Sequence, residues 1–165
     1  DLVALGPAAL PGIFDRLGSS EEGLSVRLLA IIGRIGDRSA VPELKRVFER
    51  PDLLVRLSAL ESIGALGGTA ELAFYESALQ DRWAKVRRKA ARLVLDARST
   101  KGIPVFLDSL EDPDPLVRGH AIQVLREATG QDFAFDPAAG EPARRQAVQQ
   151  WREWWSANEA TFTLR

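Results

Sequence analysis

Four apolar segments stand 31 residues apart along the chain: Leu10-Pro11, Val41-Pro42, Leu72-Ala73 and Ile103-Pro104. The match continues three residues on, at Ile13, Leu44, Tyr75 and Phe106, and again at Leu17, Phe48, Leu79 and Leu110. Apolar residues at relative positions 0, 3 and 7 line one face of a helix. A period of this length restricts the chain severely. Each unit is too small to bury its own apolar face, so consecutive units must stack to make a core.

A second series lies between the first. Val55-Arg56, Val86-Arg87 and Val117-Arg118 are again 31 apart, followed by Ala59, Ala90 and Ala121 and then by Ile63, Val94 and Leu125. Each period therefore holds two helices, here called A (the Val-Arg series) and B (the Leu-Pro series). Val26-Arg27 reads as the first A-helix member, displaced by two residues, as an indel in the preceding turn Ser19–Gly23 would leave it. Asp52, Asp81 and Asp114 fall where N-caps belong, and Pro115 suits a first helical position. Pro11, Pro42 and Pro104 fit the first turn of a B helix. Gly36, Gly67-Gly68 and Gly130 fit A-helix ends. Asp52 and Asp114 are each four residues before an arginine, Arg56 and Arg118, and are expected to pair with it. The reading is all-α, about nine helices and no strand.

The pattern Ala4-Leu5-Gly6…Leu10-Pro11, then Ile32-Gly33-Arg34-Ile35-Gly36-Asp37…Ala40-Val41-Pro42, then Asp114…Val117-Arg118…Ala121 resembles bacterial HEAT-like repeats of the kind first described in phycobilisome lyases. The resemblance covers residues 1–130. It implies antiparallel helix pairs stacked in a right-handed α-α superhelix, A helices convex and B helices concave. It also leaves the compartment open between bacterial cytoplasm and periplasm. Residues 131–165 are expected to form a loop and a capping helix over about 141–158, carrying Trp151, Trp154 and Trp155. That tail, too, is similar to the ends of other bacterial HEAT-repeat proteins. Because Leu2–Leu17 already reads as the end of a repeat, the natural protein is expected to extend upstream.

The chemistry-bearing residues are sparse. Cysteine is absent, which removes disulfides, thiolate metal sites and a cysteine nucleophile. The single histidine, His120, has no second metal ligand at a suitable spacing and is read as a surface residue. Gly64–Gly68 lacks the Lys-Ser/Thr ending of a phosphate loop and reads as a helix terminus. Asp132 and Asp136 lack further oxygen ligands at regular spacing. The longest apolar runs fall far short of the roughly 20 residues that cross a bilayer. No enzyme, cofactor, metal site or membrane span is expected.

Two surfaces remain. Counting the B-helix columns that the resemblance makes concave gives Glu43, Arg46, Phe74, Ser77, Val105 and Asp108, a mixed set suited to a protein or peptide partner. On the A side, Arg82–Lys101 carries eight basic residues against Asp96. Lys85, Arg88, Lys89 and Arg92 make a stripe on the face opposite Val86, Ala90 and Val94, a candidate anion-binding surface. A formal net charge of −1 argues against bulk nucleic-acid binding. The expected function is a non-enzymatic protein-interaction or scaffolding module. Its alternatives are a nucleic-acid or phosphate binder using the stripe, and, by analogy with the bilin lyases, an accessory subunit of a lyase-type enzyme.

Overall fold

The computed structural model describes residues 2–164. Among these the regular structure is entirely helical: α1 (Leu10–Gly18), α2 (Glu22–Ile35), α3 (Val41–Phe48), α4 (Leu53–Gly67), α5 (Leu72–Ala78), α6 (Ala84–Asp96), α7 (Ile103–Ser109), α8 (Pro115–Thr129) and α9 (Glu141–Asn158). Short 3-10 turns lead into α1, α3, α5 and α7. The fold is all-α, built from the helix pairs of an α-solenoid.

The period is stricter than the sequence reading held. B helices begin at 10, 41, 72 and 103, and A helices at 22, 53, 84 and 115. Both series keep the 31-residue step throughout, and the two-residue displacement at Val26-Arg27 does not exist. In α2 the buried residues are Ser25, Leu28, Leu29 and Ile32, which align by 31 with Arg56, Ala59, Leu60 and Ile63. Val26 is only half-buried and Arg27 is exposed. Ser25 therefore stands where the later repeats place their arginine, and Val26-Arg27 is a chance dipeptide on the wrong face.

Helix ends follow the local chemistry. Gly36 and Gly130 close α2 and α8 in the left-handed region, at φ 80° and 70°, where a Cβ would be strained. Asp114 caps α8, its Oδ1 accepting from the Leu116 N–H at 2.9 Å.

The arginines pair differently from the expectation. Arg56 does not take Asp52, which sits 3.3 Å from Arg50 instead. Its guanidinium donates to the Asp81 carboxylate (Nε to Oδ2, 2.9 Å) and to the carbonyls of Phe48 and Arg50. Asp81 is thus the buried partner of Arg56, and its Oδ1 receives the Trp83 N–H at 2.9 Å. Arg118 likewise passes over Asp114 and donates to the carbonyls of Asp112, Pro113 and Pro137. In the first repeat the polarity is reversed. Arg50 reaches back to Ser25 Oγ (3.0 Å) and the carbonyls of Leu17 and Ser20. Leu17 and Phe48 are 31 apart, so the equivalent carbonyl at a B-helix end receives a guanidinium in both repeats. The α4 side chain supplies it in one case and the following turn in the other. Satisfying such carbonyls is what a buried turn requires.

The chain forms two compact units, Asp1–Ala90 and Ala91–Arg165, divided within α6. In the first, α4 packs on both α2 and α3, and α1 packs on α2. The α2–α4 approach is close: Ser62 Oγ donates to the Leu29 carbonyl at 2.9 Å, and Gly33 faces Ser62. In the second, α7 packs on α8 and meets α9. The segment Leu53–Ala78 contains an 18-residue window that reaches a mean hydropathy of 1.2, enough for a membrane span by length and composition. It is two helices broken at Gly68 (φ 55°), with Val55, Leu60, Ile63 and Tyr75 in the core.

After α8 the chain passes through residues 131–140, which form no helix, into α9. Trp151 and Trp155 are buried and Trp154 half-buried. Phe133 meets Trp151 edge-on at 4.9 Å, and Phe162 meets Trp154 at 5.4 Å. Arg152 ties α9 to α7 through Asp108 (3.1 Å) and Glu111 (2.6 Å). Burial works against the charge of Arg152, but the two carboxylates outweigh it and hold its pKa above the usual arginine value.

Candidate functional site

The B-helix face of the first unit is set by α1, α3 and α5, whose buried stripes (Leu10, Ile13, Leu17; Val41, Leu44, Phe48; Tyr75, Ala78) turn the remaining side chains outward. Glu43 and Arg46 are paired at 2.8 Å, with Arg46 the more exposed. Phe74 is half-buried. Its ring lies 5.1 Å from Phe48 in an edge-to-face arrangement, and Lys45 sits 5.3 Å above it while also pairing with Glu71. The hydroxyl of Ser77 donates to the Phe74 carbonyl. An open cleft of about 450 Å³ lies beside Glu43, between α1 and the start of α3. Leu10, Pro11, Phe14 and Asp15 line one wall, and Ser39, Ala40 and Glu43 the other. Phe14 and this cleft escaped the sequence reading, which tracked columns one residue to the side; the half-apolar position after Ile13 was the available signal.

Val105 and Asp108 belong to the second unit. Val105 is half-buried and accepts from the Ser109 hydroxyl, and Asp108 is taken up by Arg152.

The stripe residues on α6 are distributed as follows. Lys85 is exposed, while Arg88 and Lys89 are half-buried. Lys89 pairs with Glu61 at 3.1 Å. Arg92, in the second unit, pairs with Asp96 (3.0 Å) and Glu127 (3.2 Å). Burial opposes its charge, but Asp96 and Glu127 prevail and raise its pKa. Glu127 in turn is held below the usual carboxylate range, first by the Gln123 amide and then by Arg92. Two stripe cations are thereby neutralised locally.

His120 is exposed and lies 6.1 Å from the Phe106 ring. Asp132 and Asp136 do not converge. Each accepts a backbone N–H two residues on, and Asp132 also pairs with Arg126. Among the described residues no three His, Cys, Asp or Glu side chains gather as a metal site. Gly68 ends α4 at φ 55°.

The repeat geometry and the sequence agree with a known family. HEAT repeats match residues 10–96, more than half of the chain. The chain belongs to the HEAT repeat family. No curated protein matches it. HEAT repeats generally mediate protein–protein interaction and are typically non-enzymatic scaffolds.

Proposed function

We propose that the chain is a protein-interaction module that holds a peptide or protein segment on the B-helix face of its first unit. The observation that carries this reading is the open cleft of about 450 Å³ between α1 and α3. Its walls combine apolar (Leu10, Pro11, Phe14) and acidic (Asp15, Glu43) groups, and Arg46 on α3 and Phe74 on α5 present further mixed contacts on the B-helix face. Apolar anchors with a polar rim are the composition of a peptide-binding surface. A photo-reactive amino acid placed at Ser39 or Ser77 is expected to capture one recurrent protein partner from the source cells, whereas one placed at Ser58 on α4 is not. Equal or random labelling from all three positions defeats the reading.

Polyanion binding along α6 is the weaker reading, because Lys89 and Arg92 already have carboxylate partners. Duplex DNA titrated at about 50 and 200 mM salt separates the two. Binding that falls steeply with salt and disappears on charge reversal at Lys85 favours nucleic acid; no binding at low salt dismisses it.

A further inference from the structure

The four A helices start at one register position, and three of those positions hold an acid. Glu21, Asp52 and Asp114 precede α2, α4 and α8. The residue at the same place before α6 is Trp83, 31 after Asp52. Its neighbours depart in the same direction. The stretch that reads Pro51-Asp52-Leu53-Leu54 in one repeat and Pro113-Asp114-Pro115-Leu116 in another reads Arg82-Trp83-Ala84-Lys85 here.

The changes at 82, 83 and 85 work against the helix. An acid at this position is favoured by the helix dipole and can cap free N–H groups, and the indole does neither. Arg82 and Lys85 put positive charge at the positive end of α6. Trp83 leaves 42% of its surface in solvent. The backbone is already satisfied: the Trp83 N–H donates to Asp81, and its carbonyl accepts from Val86 and Arg87. Asp81, the acid nearest in sequence, cannot offset the new charges because it is buried against Arg56. Arg82 and Lys85 make no ion pair among the described residues. A segment that breaks three local preferences together while leaving an indole partly in solvent is expected at a functional surface.

We propose that Arg82, Trp83 and Lys85 form a docking site for an acidic peptide segment of a protein partner, distinct from the B-helix face. The exposed indole receives an apolar side chain of the segment, and the two cations and the positive helix end receive its carboxylates. Tryptophan and arginine are the residues that most often dominate binding energy at protein interfaces. A nucleic-acid strand fits less well. It would need a continued track of free cations, but farther along α6 Arg87 donates to the carbonyls of Asp81 and Arg82, and Lys89 and Arg92 are ion-paired.

The test is selection of a displayed random-peptide library on the intact chain, followed by affinity measurement on purified variants. Acidic peptides carrying an aliphatic or aromatic residue are expected to be enriched. Trp83→Asp restores the acid of the other helix starts. It should keep or raise the melting temperature while weakening those peptides roughly thirtyfold or more. Charge reversal at Arg82 and Lys85 should abolish binding, and Phe74→Ala should leave it unchanged. The proposal is overturned by enrichment of peptides indifferent to Trp83→Asp, by enrichment of basic or neutral sequences, by no enrichment, or by tighter binding of a single-stranded oligonucleotide.

Discussion

Arg56 shows why a repeat protein of this kind depends on a few polar side chains as much as on its apolar stripes. Its guanidinium is buried and serves an acid and two carbonyls at once. Arg56→Ala leaves Asp81 buried without its counter-charge, and the expected loss is about 3–5 kcal/mol in denaturant unfolding. Arg50→Ala removes bonds to a hydroxyl and two carbonyls around a partly exposed site, for a smaller loss of about 1 kcal/mol. Equal losses would contradict this account of the two junctions. Neither role was legible in the sequence. The nearest acid, Asp52, invited an i,i+4 pair, whereas the true partner is 25 residues away and is chosen by the stacking of neighbouring repeats. Tyr75 offers a second measurement, because it is the single tyrosine of the chain. Burial, then the negative charge of Glu71, push its phenol up to about 12, with Arg38 opposing. The hydroxyl donates to the Gly68 carbonyl at 2.9 Å and would lose that bond on ionising. Since the folded pKa lies above the unfolded value near 10, this contribution to stability is complete below pH 10 and is lost as pH rises towards 12. Absorbance titration at the phenolate band should give a midpoint near 12 or coincide with alkaline unfolding. A midpoint of 10 in the folded chain would refute it.

At the scale of elements, boundaries were readable because each is marked by chemistry that acts within one turn: prolines in the first turn of α1, α3 and α7, and glycines after α2 and α8. The error at α2 arose where that local logic fails. A Val-Arg dipeptide marks an A helix only if the valine faces the core, and periodicity of burial, not the dipeptide, decides the face. Close approaches between elements were not readable at all. Gly102, at the end of the turn before α7, lies so near α6 that an added Cβ would sit 2.5 Å from the Ala91 carbonyl oxygen and 3.0 Å from Leu95 Cγ. A backbone carbonyl inside a helix cannot swing aside. Gly102→Ala is therefore expected to cost about 1–3 kcal/mol. Gly18→Ala, in the last turn of α1 with nothing within 4 Å, should be neutral or stabilising by up to about 1 kcal/mol. Comparable melting temperatures for the two variants would argue against the close α6 approach.

For the whole molecule, the strict 31-residue step has an energetic consequence. In an array of repeats the core is made by stacking neighbouring pairs, so stability is close to a sum of repeat and neighbour terms. The first unit draws on α1–α4 through contacts such as Ser62 to Leu29, and the second on α7, α8 and the aromatic cluster of α9. Trp151 is fully buried at the centre of that cluster. Trp151→Ala should cost about 3–5 kcal/mol where it acts, and in a near-neighbour array that loss is not shared evenly along the chain. Hydrogen exchange is expected to accelerate strongly in α7, α8 and α9 while amides of α2 and α4 keep nearly their original protection. A uniform acceleration would instead mean that the chain unfolds as one cooperative body, and that the repeat period shapes its architecture without partitioning its stability. The same measurement bears on function. A first unit that stays protected when the second is weakened can present its B-helix cleft and the Trp83 surface independently of the C-terminal helices.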